Sequence, residues 1–129
     1  MERPRLLLID DEPALAAFVA SAAQECGYQA EIGIDQADFR GRYGERCPDV
    51  VVLDLGMPGM DGVELLRFLS AEGFRGPVLI VSGFDRRVLD SAFRLGEALG
   101  LSMVGPLEKP TRLETLENML REVRPTVSR

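Results

Sequence analysis

Histidine and tryptophan are absent from the 129 residues, and the two cysteines, Cys26 and Cys47, stand far apart with no CxxC pair. Zinc centres and Ser/His or Cys/His nucleophilic catalysis therefore lack their parts, and both cysteines read as reduced structural thiols. A metal site would have to use oxygen ligands, which selects Mg2+, Mn2+ or Ca2+. An excess of positive charge is missing as well. The formal net charge is −6, whereas sequence-independent nucleic-acid binding needs clustered Lys and Arg, so no direct nucleic-acid binding is expected. No apolar stretch approaches the ~20 residues of a membrane span. Met1 to Arg5 runs straight into the short stretch Leu6-Leu7-Leu8-Ile9, too brief for a signal peptide. No membrane partner is expected, and the protein reads as cytoplasmic.

What is present is a regular alternation. Hydrophobic residues make up 46% of the chain, ordinary for one globular domain. Apolar runs suited to strands recur at 5–9, 28–32, 49–54, 77–81 and 101–105, with helical periodicity between them. The first helix is expected to start at Pro13 and bury Leu15, Phe18, Val19 and Ala22. The third is expected to open at a capping Asp61 and carry Val63, Leu66 and Leu69. Val88, Ala92, Leu95 and Leu99 form the stripe of the fourth, and Leu113, Leu116, Leu120 and Val123 that of the last. Five βα units predict an α/β fold with a parallel sheet covered by helices on both faces. The domain is expected over residues 1–123, with 124–129 as a C-terminal tail or the start of a linker.

Polar residues sit at the predicted carboxyl ends of four strands: Asp10-Asp11 after the first, Asp54 after the third, Ser82 after the fourth and Lys109 after the fifth. Open α/β sheets bind ligands beyond those ends. Singly, each residue has an ordinary alternative. Asp10-Asp11-Glu12-Pro13 is a good helix start, Ser82-Gly83 a turn, Lys109-Pro110 a solvated lysine before a helix, and Asp54 a loop-capping carboxylate. Their occurrence together, in order across four strand ends, favours one site. Three crowded carboxylates repel one another unless a divalent cation neutralises them, and Mg2+ is the natural guest. A carboxylate beside Mg2+ with an ammonium and a hydroxyl nearby suits phosphoryl transfer, with Asp54 as the nucleophile.

The motifs Leu8-Ile9-Asp10-Asp11-Glu12-Pro13, Val51-Val52-Leu53-Asp54-Leu55-Gly56-Met57-Pro58-Gly59-Met60-Asp61-Gly62, Val81-Ser82-Gly83 and Glu108-Lys109-Pro110 resemble those of the receiver domain of bacterial two-component response regulators, of the chemotaxis-regulator type. The likeness covers nearly the whole chain. It implies the flavodoxin-like doubly wound fold, a five-stranded parallel sheet in order 2-1-3-4-5. It also implies a signalling switch that accepts a phosphoryl group onto Asp54 from a histidine kinase or a histidine phosphotransfer protein. Such a protein is not an enzyme acting on other substrates, although it catalyses its own phosphorylation and dephosphorylation. By the same resemblance, Asp10, Asp11, Asp54 and the main-chain carbonyl of Gly56 hold Mg2+, Ser82 is the switch hydroxyl and Lys109 the phosphoryl clamp. Lys109-Pro110 is expected to be a cis peptide. A downstream effector protein or a C-terminal output domain would read the signal. A chain without histidine cannot itself be the phosphohistidine donor.

Three features depart from that family pattern. Pro106 occupies the strand-five position, three before the lysine, where an aromatic is usual. Ser82 and Lys109 stand 27 positions apart, longer than in the simplest members, and the excess is expected in the fourth helix or the loop after it. The stretch from Ala98 to Pro110 resembles receivers fused to cyclic-di-GMP phosphodiesterase (EAL) domains, which leaves a regulatory receiver of such a protein as an alternative. An aspartate-nucleophile phosphatase is a further competitor, but Asp54-Leu55-Gly56 lacks a second Asp two positions on to serve as acid and base. A flavodoxin-type FMN carrier is disfavoured because carboxylates, not a phosphate-binding loop, follow the first strand.

Overall fold

The computed structural model describes residues 3–10, 13–54, 62–82, 86–108 and 112–123, with Ser82 described by its backbone alone. The elements alternate as β1 (Arg5–Ile9), α1 (Pro13–Glu25), β2 (Gln29–Gly33), α2 (Gln36–Glu45), β3 (Val50–Asp54), α3 (Gly62–Ala71), β4 (Pro77–Ser82), α4 (Arg86–Ala98), β5 (Ser102–Glu108) and α5 (Leu113–Glu122). All four strand pairings are parallel, in the order β2-β1-β3-β4-β5. This is the doubly wound topology expected from the sequence.

Alternation along the strands divides the core into two layers. Leu6, Leu8, Val50, Val52, Leu79 and Val81 pack with α1 and α5, whereas Leu7, Ile9, Val51, Leu53, Val78 and Ile80 pack with α2, α3 and α4. The central strands are apolar on both sides because helices cover both. Arg5 is the buried exception at the amino end of β1. It ion-pairs with Glu31 of β2, and its Nη1 donates to the Arg46 carbonyl at 2.7 Å. On the opposite layer the buried Tyr28 hydroxyl donates to the carbonyl of Leu120 at 2.7 Å, tying α5 to the start of β2.

The helices do not all bury the residues that their periodicity predicts. In α1 the fully buried positions are Val19 and four alanines, while Phe18 only packs at the margin, so the helix lies close to the sheet. Val63 of α3 and Val88 of α4, expected in the core, are exposed. They line an open groove of about 470 Å³ between those helices, and Leu65 and Leu89 take the buried places. Leu113 is likewise exposed, leaving Leu116 and Leu120 as the buried pair of α5.

β5 differs most from the sequence reading. It runs to Glu108, and between Leu79 and Val81 of β4 its partners advance from Val104 to Leu107, three steps against two. The extra residue is taken up at Gly105, whose φ of 95° suits glycine, and Pro106. A proline without an N–H is tolerated there because β5 is an edge strand. One residue of the long Ser82 to Lys109 interval thus lies inside β5, not in α4 or the loop after it. The expected cap at Asp61 and the Lys109-Pro110 peptide lie outside the described residues.

Candidate functional site at the carboxyl edge of the sheet

Parallel pairing delivers the strand ends to one edge in a defined order. Ile9 of β1 is in register with Leu53 of β3, so Asp10 and Asp54 are the next residues on two hydrogen-bonded strands about 4.8 Å apart. They extend the Leu6, Leu8 and Val50, Val52 rows, which share one core layer. On the other side of β3, Asp54 is in register with Val81, and Ser82 follows. Ser82 in turn is in register with Glu108, the residue before Lys109. The two described carboxylates are almost enclosed, with Asp10 6% and Asp54 4% exposed.

Burying two carboxylates side by side costs free energy unless charge and hydrogen-bonding capacity are met locally. This all-oxygen donor set suits a hard divalent cation and no soft one, so the residues present fit Mg2+. Among the described residues no group of three or more Asp, Glu, Cys or His side chains is close enough to bind a metal by itself. Asp11 and Gly56, the other expected ligands, lie outside the described residues, as does Lys109.

Sequence reasoning missed a charged pair at the same edge. Arg86, the first residue of α4, donates through Nη1 to Glu108 Oε1 at 2.7 Å, and its Nε lies 3.7 Å from Asp90 Oδ1. The Glu108 carboxylate beside it, and secondarily Asp90, raises the Arg86 pKa above the ordinary arginine value. The i,i+4 spacing of Arg86 and Asp90 was legible in the sequence. The pairing with Glu108 was not, because it depends on how α4 returns against β5.

No helix among the described residues is long and apolar enough to cross a membrane. The sequence pattern of the response regulator receiver domain matches residues 6–121. The chain is 32% identical over 117 residues to the transcriptional regulatory protein TrcR of Mycobacterium tuberculosis, covering 91% of this chain and 45% of that protein. It is 28% identical over 128 residues to the phosphate regulon transcriptional regulatory protein PhoB of Rhizobium meliloti, covering 96% and 55%. The chain therefore spans about half the length of these curated relatives. Its fold superposes on the chemotaxis protein CheY4 of Vibrio cholerae with a TM-score of 0.79 at 25% identity, covering 95% of this chain and 99% of that one. A receiver domain from Bermanella marisrubri gives 0.78 at 26%, covering 95% and 98%. With a matching fold, a matching motif order and this coverage, the chain belongs to the response regulator receiver domain family of two-component systems.

Proposed function

We propose that this chain is a phosphorylation-dependent switch in which Asp54 accepts a phosphoryl group from a histidine kinase or a histidine phosphotransfer protein. The observation that carries this reading is the enclosed Asp54 carboxylate at the end of β3, flanked by the strand ends that lead into Asp10 and Ser82. Transfer breaks the donor N–P bond and forms an Asp54 Oδ–P bond, and the departing electron pair stays on the donor imidazole nitrogen. Asp10, Asp11, Asp54 and the Gly56 carbonyl would hold Mg2+, which supplies positive charge to the phosphoryl oxygens when bound. The Lys109 ammonium would bind a phosphoryl oxygen, and the Ser82 hydroxyl would donate to another. Water attack at phosphorus later breaks the Asp54 Oδ–P bond, releasing inorganic phosphate and returning the electron pair to the Asp54 carboxylate, so the protein turns over only its own phosphoryl group.

We assign the receiver unit to residues 1–123, with 124–129 as a C-terminal tail or the start of a linker, and a cytoplasmic location. The output, whether a partner protein or a further domain, reads the changed surface. Incubation with Mg2+ and acetyl phosphate should add the mass of one phosphoryl group to the native protein and none to Asp54→Asn, because an amide forms no acyl phosphate. Normal labelling of the variant would remove Asp54 from this role.

A further inference from the structure

We propose that Arg86 and Glu108 are positioning residues that form a clasp opposing phosphorylation, holding the first turn of α4 to the end of β5. This rests on the phosphoryl-acceptor reading above. Sheet order supplies the geometry: β4 lies between β3, which carries Asp54, and β5, which carries Glu108. A Ser82 hydroxyl drawn to a phosphoryl group on Asp54 pulls the end of β4 toward β3. The Arg86 to Glu108 pair pulls in the opposite direction. Arg86 stands only four positions after Ser82, and four residues span at most about 14 Å, so movement at one end is felt at the other. Glu108 is both the in-register partner of Ser82 and the residue before Lys109. Glu108 therefore meets the first turn of α4 through its side chain and the end of β4 through strand pairing.

Exposure limits how strong the clasp can be. The Arg86 and Glu108 side chains are 64% and 47% exposed, and exposed ion pairs shift an equilibrium by about two- to fivefold at most. A small bias of that kind tunes a two-state element without locking it, because a pair present in one state only shifts the populations by its own worth.

Labelling by acetyl phosphate with Mg2+ tests the clasp. Glu108→Gln and Arg86→Gln should each label about two- to fivefold faster than the native protein, and the double variant no faster than the quicker single one, because both break the same pair, Arg86→Gln losing besides it only the longer contact with Asp90. Arg86→Lys should label near the native rate. In about 1 M NaCl the native protein should approach the variants. Simple attraction of an anionic donor predicts opposite signs instead, faster for Glu108→Gln and slower for Arg86→Gln. Opposite signs, equal rates or additive effects would overturn the proposal. Amide exchange of the unphosphorylated protein supplies a readout that needs no phosphoryl transfer. Asp90 to Phe93, whose amides bond back to the first turn of α4, should exchange about two- to fivefold faster in Glu108→Gln. Unchanged exchange in Glu108→Gln would overturn the clasp even where the native protein labels, and faster exchange in Glu108→Gln where the native protein never labels would leave the Arg86–Glu108 contact standing while ending the acceptor reading.

Discussion

Asp54 stands in register with Val81, one residue short of Ser82 on the neighbouring strand, and one strand away from the end that carries Asp10. On the proposed reading, a cation relieves the repulsion between these two nearly enclosed carboxylates on adjacent strands. Asp54→Asn should therefore leave the metal-free protein as stable as the native one or more so. Mg2+ at ten times its Kd should stabilise the native protein by about 1.4 kcal/mol, and the variant by much less. Thermal denaturation with and without Mg2+ measures both. Marked destabilisation of Asp54→Asn in the absence of metal would make Asp54 a structural cap.

Gly76 and Gly41 should respond to alanine in opposite ways. A Cβ at Gly76 would collide with the main-chain carbonyl of Asp49 and come within 2.7 Å of the Phe74 ring. Backbone cannot yield as a flexible side chain does, so Gly76→Ala should cost about 2–3 kcal/mol in urea unfolding. Gly41 lies inside α2 with open space around its Cβ direction. Gly41→Ala should stabilise by up to about 1 kcal/mol through helix propensity. Similar effects at both positions would contradict the packing described for β3 and β4.

The start of α2 should carry a pH signature. Asp35 caps the helix by accepting from the Asp38 N–H at 2.8 Å, and Asp38 accepts from the Ile34 N–H and from Arg42 Nε, each at 3.0 Å. The Ile34 N–H, and after it Arg42, lowers the Asp38 pKa below the ordinary aspartate value. A carboxyl whose folded pKa is lowered contributes stability that is present above its unfolded pKa and lost as pH falls through the folded one. Asp38→Asn should therefore destabilise by about 0.5–1 kcal/mol near neutrality, with the difference from the native protein shrinking below about pH 4. A difference that persists unchanged into acid would mean the charge of Asp38 is not what the cap uses.

Periodicity and strand-end chemistry determined much of this protein before any coordinates. The valine-rich run into Asp54 reads as a covered strand, and five alternating βα units imply a parallel sheet with helices on both faces, while the strand order 2-1-3-4-5 was implied by the resemblance to receiver domains. Asp10 and Asp54 were therefore legible as sharing one edge, since parallel strands bring like ends together, and the pairing of β1 with β3 makes them neighbours. Tertiary packing decided what lies between elements. Val63 and Val88 sit on apolar stripes, but a helix buries only the side that its neighbour covers, and here that side belongs to Leu65 and Leu89. The residue absorbed at Gly105 and Pro106 depends on matching β5 to the twist and length of β4, which no local pattern records. Arg86 and Glu108, 22 residues apart, become partners only because α4 returns its first turn to the end of the edge strand. Side-chain partners between elements are chosen by distance in space, and periodicity carries only the distance along one element.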